Sequence, residues 1–139
     1  MIVRAFEAGD IPAVRALWAG TDGLGFGPGD APDELAAFLE RNPGASSVAV
    51  VGDAVVGALL AGHDGRRGYL YRLAVAEAHR RHGVAGRLVD WSLAALRVAG
   101  IPRAQLFVLV HNEPARAFWQ SVRGRHRDEL AMYTIDVTP

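Results

Sequence analysis

Short apolar runs with strand character alternate along the chain with stretches whose apolar positions recur at helical spacing. Residues 2–6 form a brief strand-like run. Asp10 can then cap a helix reaching Trp18, with Pro12 accommodated in its first turn, and Gly20 closes it. Residues 20–30 carry glycine at 20, 23, 25, 27 and 29 and read as a flexible loop. Asp30 is expected to cap a second helix, with Pro32 in its first turn and Asp33 and Glu34 at the positive end of its dipole. Leu35, Phe38 and Leu39 form its apolar face, and Asn42-Pro43-Gly44 ends it.

Two strands, 47–51 and 55–61, flank a tight Gly52-Asp53 turn, and a second turn at 63–68 leads into a strand at 69–75. Strand alternation predicts Tyr69, Tyr71, Leu73 and Val75 on one face of it. The next helix carries Ala85, Leu88, Val89, Ser92, Leu93 and Leu96 on one side, with Arg87, Asp90 and Arg97 off it, and Gly100-Ile101-Pro102 stops it. Residues 104–110 are nearly all apolar and read as a central strand. A short helix at about 114–121 and a last strand at about 130–137 complete the order β, α, α, β, β, β, α, β, α, β. That order predicts an α/β (α+β) fold, a mixed sheet of about six strands with about four helices on its two faces.

Length adds that residues 1–139 form a single domain able to bury a real core. The 15 basic and 15 acidic residues cancel, which argues against nucleic acid or an anionic membrane as the main partner. Every basic residue is Arg and none is Lys, a compositional trait with no functional weight here. Absence of cysteine excludes disulfides, thiolate metal sites and a Cys nucleophile. The N-terminus is too charged, and its apolar run too short, for a signal peptide, and the apolar region 47–62 is broken by Gly52-Asp53 into a hairpin. The cytoplasm is the expected location.

The stretch Ala76 to Trp91, AEAHRRHGVAGRLVDW, concentrates the candidate chemistry. A strand, a loop of little side-chain bulk and a helix start would aim free backbone N–H groups at one point, the arrangement that binds phosphate. Gly83, Ala85 and Gly86 let oxygens approach the backbone, while Arg80 and Arg81 add charge from the rim. The same residues also suit a helix entry that uses glycine for close packing and leaves its arginines in solvent. Neither Gly-Lys-Ser/Thr nor Gly-x-Gly-x-x-Gly is present, which excludes the two familiar nucleotide loops. His79 and His82 have no third ligand spaced nearby, so no metal is expected.

Arg80-Arg81-His82-Gly83-Val84-Ala85 fits the pattern Q/R-x-x-G-x-G/A. About thirty residues on comes Val108-Leu109-Val110-His111-Asn112-Glu113-Pro114-Ala115-Arg116-Ala117-Phe118-Trp119, which fits a strand followed by Asn-x-x-Ala-x-x-Leu/Phe-Tyr. Together, at that separation and in that element order, the two motifs resemble the GCN5-related N-acetyltransferase (GNAT) family across nearly the whole chain, closest to its small single-domain bacterial members. The resemblance implies a mixed, mostly antiparallel GNAT-type sheet and acetyl-CoA as cofactor. It implies a pyrophosphate site at Arg80, Arg81, His82, Gly83, Val84, Ala85, Gly86 and Arg87, and a pantetheine arm paired like an extra strand with Leu73, Ala74 and Val75. A backbone N–H near Val75 would then polarise the thioester carbonyl. Asn112 matches a position that helps hold the arm, and it also suits a helix N-cap.

The chain departs from the family at its proton chemistry. Trp119 stands where the family carries its usual acidic Tyr, and an indole N–H is a donor without being a usable acid. Tyr69 and Phe107 occupy strand positions where relatives often carry a Glu base, and the usual Gly-Phe after the short helix is Arg123-Gly124. Tyr69, Tyr71 and His111 are the candidate catalytic groups, the tyrosines having aromatic packing as their other reading. Loop 20–30, the helix after it and turn 63–68 lie where the family builds its acceptor pocket, which makes Asp22, Phe26 and Asp64 candidate acceptor contacts, with Trp18 as a further lining residue. The expected activity is transfer of acetyl from acetyl-CoA to a primary amine, of a small molecule or a protein, by direct attack in a ternary complex. The competing reading is a non-catalytic acyl-CoA-binding sensor. Dimers are common in the family, and a homodimer is compatible with this reading.

Overall fold

β1 (Ile2–Ala5), β2 (Ser47–Val51), β3 (Ala54–His63), β4 (Gly68–Val75) and β5 (Ala104–Gln105) lie side by side in that order. Neighbours run antiparallel, except that β4 and β5 are parallel. This is a computed structural model; it describes residues 1–138, and the chain divides into two compact units, Met1–Phe107 and Val108–Pro139. The first holds the sheet with α1 (Ile11–Ala19), α2 (Pro32–Arg41) and α3 (Val84–Val98), and the second holds α4 (Glu113–Ser121).

Helices cover both faces of the sheet. Ala58, Leu60 and Ala74 join Val14 and Trp18 of α1 and Leu35 and Leu39 of α2 in one buried cluster. On the other face α3 buries Val84, Leu88, Val89, Ser92 and Leu96. Its approach to the sheet is close: a Cβ on Gly57 would lie 3.0 Å from both Val84 and Leu88, and one on Gly68 would lie 2.9 Å from Leu96. Two serines drawn into the α3 side of this core are hydrogen-bonded. Ser47 Oγ donates to the Leu88 carbonyl at 3.0 Å and lies 3.2 Å from Ser92 Oγ, which fastens β2 to α3.

Two helix starts differ from the expectation. Asp10 is the N-cap residue of α1, but its side chain makes no capping hydrogen bond to that helix. Its carboxylate turns back to accept from the Glu7 N–H at 2.9 Å and from Arg4 at 2.7 and 2.9 Å. The N-cap of α2 is Ala31 rather than Asp30, with the Glu34 carboxylate accepting from the Ala31 N–H at 3.2 Å. Asp30 is free for another partner.

The hydrogen bonds from Arg4 hold the Asp10 carboxyl below its ordinary value, against the opposing effect of partial burial. A depressed carboxylate contributes stability above the unfolded pKa and loses it as pH falls through the folded one. Asp10→Asn is therefore expected to lower Tm at neutral pH, with the gap to the parent closing on acidification below about pH 4. A gap independent of pH would remove the charge from this account.

The largest departure lies at the end of the sheet. Residues 104–110 were expected to form a central strand, yet β5 pairs over only two residues and is the sheet's edge. Leu109 and Val110 are 69% and 70% exposed. No helix or strand occurs among the described residues 124–138, so the sheet has five strands where about six were expected. An apolar run signals an affinity for burial but not a pairing partner, and a strand exists only through its partner.

Candidate active site

Antiparallel pairing at the β3–β4 junction sets the first feature. Leu60 pairs with Tyr71 and Ala58 with Ala74, so Arg72 and Leu73 together oppose Leu59 in a β-bulge, with Arg72 at φ 56°. The extra residue shifts the alternation. Tyr69 and Tyr71 share a face with Ala74, while Val75, opposite Gly57, faces α3. The expected common face of Tyr69, Tyr71, Leu73 and Val75 is therefore broken at the bulge.

The second feature is an open strand edge. Ala76 N–H donates to the Val56 carbonyl at 2.8 Å, which makes the adjacent Gly57–Val75 pair the one without mutual hydrogen bonds. The Val75 N–H and C=O thus point away from β3, towards the β5 side. β5 pairs with β4 only at Gly68 and Tyr69, so among the described residues no strand pairs with that edge beyond Tyr69. The Val75 carbonyl accepts instead from Arg80 Nε at 3.0 Å.

The third feature is the start of α3. After β4 the chain makes a short 3-10 turn, Glu77–His79. It then passes through two left-handed residues, Arg81 at φ 65° and Gly83 at φ 76°. Gly83 is the N-cap and no side chain caps the helix, so the first-turn amides are left to an outside acceptor. Nothing lies within 4 Å of where a Cβ would stand on Gly83 or Gly86, so the space in front of these amides is open. Val84 is buried against the sheet and contributes only its backbone. Arg80, Arg81, His82 and Arg87 are exposed around this start, while Ala85 and Gly86 are half-buried. Uncapped amides, an open approach and a cationic rim fit a pyrophosphate.

Beside the same loop a cleft of about 450 Å³ is lined by Leu17, Gly20, Thr21, Asp22, Glu77 and Arg80. Asp22 and Glu77 give it two carboxylates. Phe26 is not in this cleft; Arg15 stacks on it at 4.7 Å, in a separate, mostly apolar depression on the other flank of α1. Asp64 has a different occupation again. Its carboxylate accepts the Arg66 and Arg67 N–H groups at 2.8 and 2.9 Å, which forms the turn before β4 and holds its pKa down. Trp18 lines no pocket, being wholly buried. Tyr71 stacks on Tyr69 at 5.8 Å and meets Phe38 edge-on, and partial burial, reinforced by Tyr69 and Asp64, pushes its phenol up.

The second unit carries the remaining predicted residues. Asn112 caps α4, its Oδ1 accepting the Ala115 N–H at 3.1 Å. His111 is exposed, and Trp119 packs edge-on against Phe118 at 5.1 Å. Arg123 adopts φ 70° after the helix, and Gly124 is needed because a Cβ there would stand 2.7 Å from the Trp119 carbonyl.

A strand with an open outer edge running into an uncapped, glycine-led helix start occurs here within a family pattern that can be matched directly. The model of the Acetyltransferase (GNAT) family matches residues 12–124. The chain belongs to the GNAT acetyltransferase family. A Sodalis glossinidius protein named as an acetyltransferase is 29% identical over 133 residues, spanning 95% of this chain and 92% of that protein. A Pectobacterium atrosepticum acetyltransferase is 30% identical over 123 residues, 88% of this chain and 86% of the relative. Among solved structures, Ard1 from Thermoplasma volcanium shares the fold with a TM-score of 0.77 at 22% identity, over 87% of this chain and 80% of that one. As a GNAT acetyltransferase the protein is an N-acetyltransferase, and its cofactor is acetyl-CoA.

Sequence reasoning missed Arg72 and Glu77. Arg72 is the one charged residue in Gly68–Val75, and a lone charge inside a half-buried strand was the available sign of a bulge.

Proposed function

We propose that this GNAT acetyltransferase moves the acetyl group to a primary amine, of a small molecule or a protein, by direct attack in a ternary complex. The observation that carries this reading is the unpaired Val75 N–H on the open edge of β4, directly before the uncapped start of α3. When bound, acetyl-CoA supplies an activated thioester. Leu73, Ala74 and Val75 offer its arm a strand edge, and the amides of Gly83, Val84, Ala85 and Gly86 offer its pyrophosphate uncapped donors. The Val75 N–H is the proposed donor to the carbonyl oxygen on which charge develops.

Asp22 and Glu77 favour a cationic amine in the cleft beside the loop, and the amine attacks in its neutral form after releasing a proton to solvent. Tyr71 is our first candidate for the proton donor to the departing sulfur. A phenol pushed up by burial stays protonated at neutral pH, which suits an acid and not a base. Its substitution by Phe is the direct comparison with Tyr69→Phe and His111→Gln.

Thiol release from acetyl-CoA is the test, run against spermidine, kanamycin, a peptide with free N-terminal alanine and a lysine-containing peptide blocked at its N-terminus. Acceptor-dependent release with at least one amine is expected. Tight CoA binding with no acceptor-dependent thiol across the panel would overturn transfer in favour of a sensor.

A further inference from the structure

We propose that Arg72 is a positioning residue that locks residues 20–30 onto the bulge of β4 and thereby sets the acceptor side of the active site. The inference rests on the transfer reading above for its functional consequence, though not for the contact itself. Regular alternation would send the side chain of residue 72 to the α3 face, opposite that of Tyr71. The bulge, with Arg72 at φ 56°, turns it instead to the α1 face. A non-glycine residue in the left-handed region is strained, and the fold retains that strain here.

On that face the guanidinium meets Trp18 of α1 and, beyond it, only the loop. It stacks 4.3 Å over the Trp18 ring and stands 5.7 Å from the Phe26 centroid. Nη1 donates to the Gly25 carbonyl at 2.9 Å and to Asp30 Oδ2 at 3.3 Å. Nε and Nη2 are buried with no partner, so both hydrogen bonds of this side chain go to the loop and none to the sheet. Asp30 serves the same purpose from its side. Its Oδ2 also accepts the Gly27 N–H at 2.8 Å, while its carbonyl accepts from Arg15 Nε at 3.2 Å.

The loop needs such a clamp. Its five glycines leave it little stiffness of its own, and Gly23 and Gly29 adopt left-handed φ of 83° and 93°. Its first residues, Gly20, Thr21 and Asp22, form one wall of the carboxylate-bearing cleft whose other wall is Ala76, Glu77 and Arg80. Arg72 immediately precedes Leu73, Ala74 and Val75. A single side chain thus ties the acceptor wall to the strand that receives the cofactor.

Two variants test this from opposite ends. Arg72→Asn removes the clamp while Asn tolerates the left-handed backbone, so the bulge is kept. Asp30→Ala removes the partner from the loop and leaves β4 untouched, and it carries the test if the first variant does not fold. Chymotryptic cleavage after Phe26, read by mass spectrometry, is expected to accelerate about tenfold in both, because cleavage follows the population of the open loop. CoA affinity by calorimetry should stay within about twofold, while KM for the best amine of the panel rises about tenfold and kcat changes little. That split separates positioning from general destabilisation. Unchanged cleavage in both variants overturns the clamp. Faster cleavage with unchanged acceptor KM, or with an equal loss of CoA affinity, overturns its role on the acceptor side. A parent protein with no amine turnover fails the transfer reading instead, and the cleavage arm still decides the clamp.

Discussion

Gly83→Glu is expected to weaken CoA binding by at least about 100-fold, since two like charges about 5 Å apart at an effective dielectric of about 20 repel by about 3 kcal/mol. Gly83 is the uncapped N-cap of α3, and the space in front of its missing Cβ is open, so a carboxylate there would stand in the mouth of the proposed pyrophosphate site. Backbone strain adds to the loss, because φ is 76° and only glycine adopts it freely. Gly83→Asn separates the two effects. Asn tolerates a left-handed backbone and carries no charge, so its loss should be distinctly smaller. Calorimetric titration with CoA measures both. Parent-like affinity in the Glu variant would sink the pyrophosphate assignment.

Trp18→Ala is expected to cost about 3–5 kcal/mol of stability, the range for deleting a fully buried large aromatic. Trp18 is completely buried in the cluster under the α1–α2 face of the sheet, and it also carries the Arg72 guanidinium on its ring. Removing the indole opens a cavity and leaves two unpartnered guanidinium nitrogens without the π face they rest on. Trp18→Phe should be far milder. It keeps an aromatic face, and it discards an indole N–H that is itself buried without a partner. Urea denaturation of the three proteins measures the difference. An Ala variant within about 1 kcal/mol of the parent, the ordinary cost of a point substitution, would mean that the ring is not the keystone of this face.

Much of the fold was legible because local chemistry and burial agreed. Gly52-Asp53, Gly100 and the periodic face of α3 each specify their element without help from distant residues, and all appear as expected. The order of α1, α2, the three-stranded meander and α3 followed from these signals. Legibility failed where a residue's partner lies far away in sequence. Asp30 has the composition of an N-cap, but Arg72, 42 residues later, takes its carboxylate. Asp64 has the charge to hold an amine, but its Oδ1 accepts two N–H groups of its own turn. Apolar composition in 104–110 could not reveal that pairing with β4 ends after two residues. The same division holds at the site. Glycine spacing marked the open, uncapped start of α3, because the signal there is local backbone freedom. The bulge left only the weaker mark of a lone charge in a half-buried strand: Arg72 is neither Gly nor Asn, yet it adopts φ 56°.

The free edge of β4 has a consequence beyond the cofactor. A long exposed strand edge invites pairing with another chain, and soluble proteins protect such edges with bulges and charges. Here the bulge at Arg72–Leu73 breaks the hydrogen-bonding phase midway, and the Arg80 side chain covers the last outward carbonyl, at Val75. What remains is a landing strip two or three residues long, too short for a neighbouring molecule's strand to propagate along it. The pantetheine arm proposed for this edge is short enough to fit that length. The same geometry that disfavours edge-to-edge pairing thus leaves room for the pantetheine arm proposed to lie there.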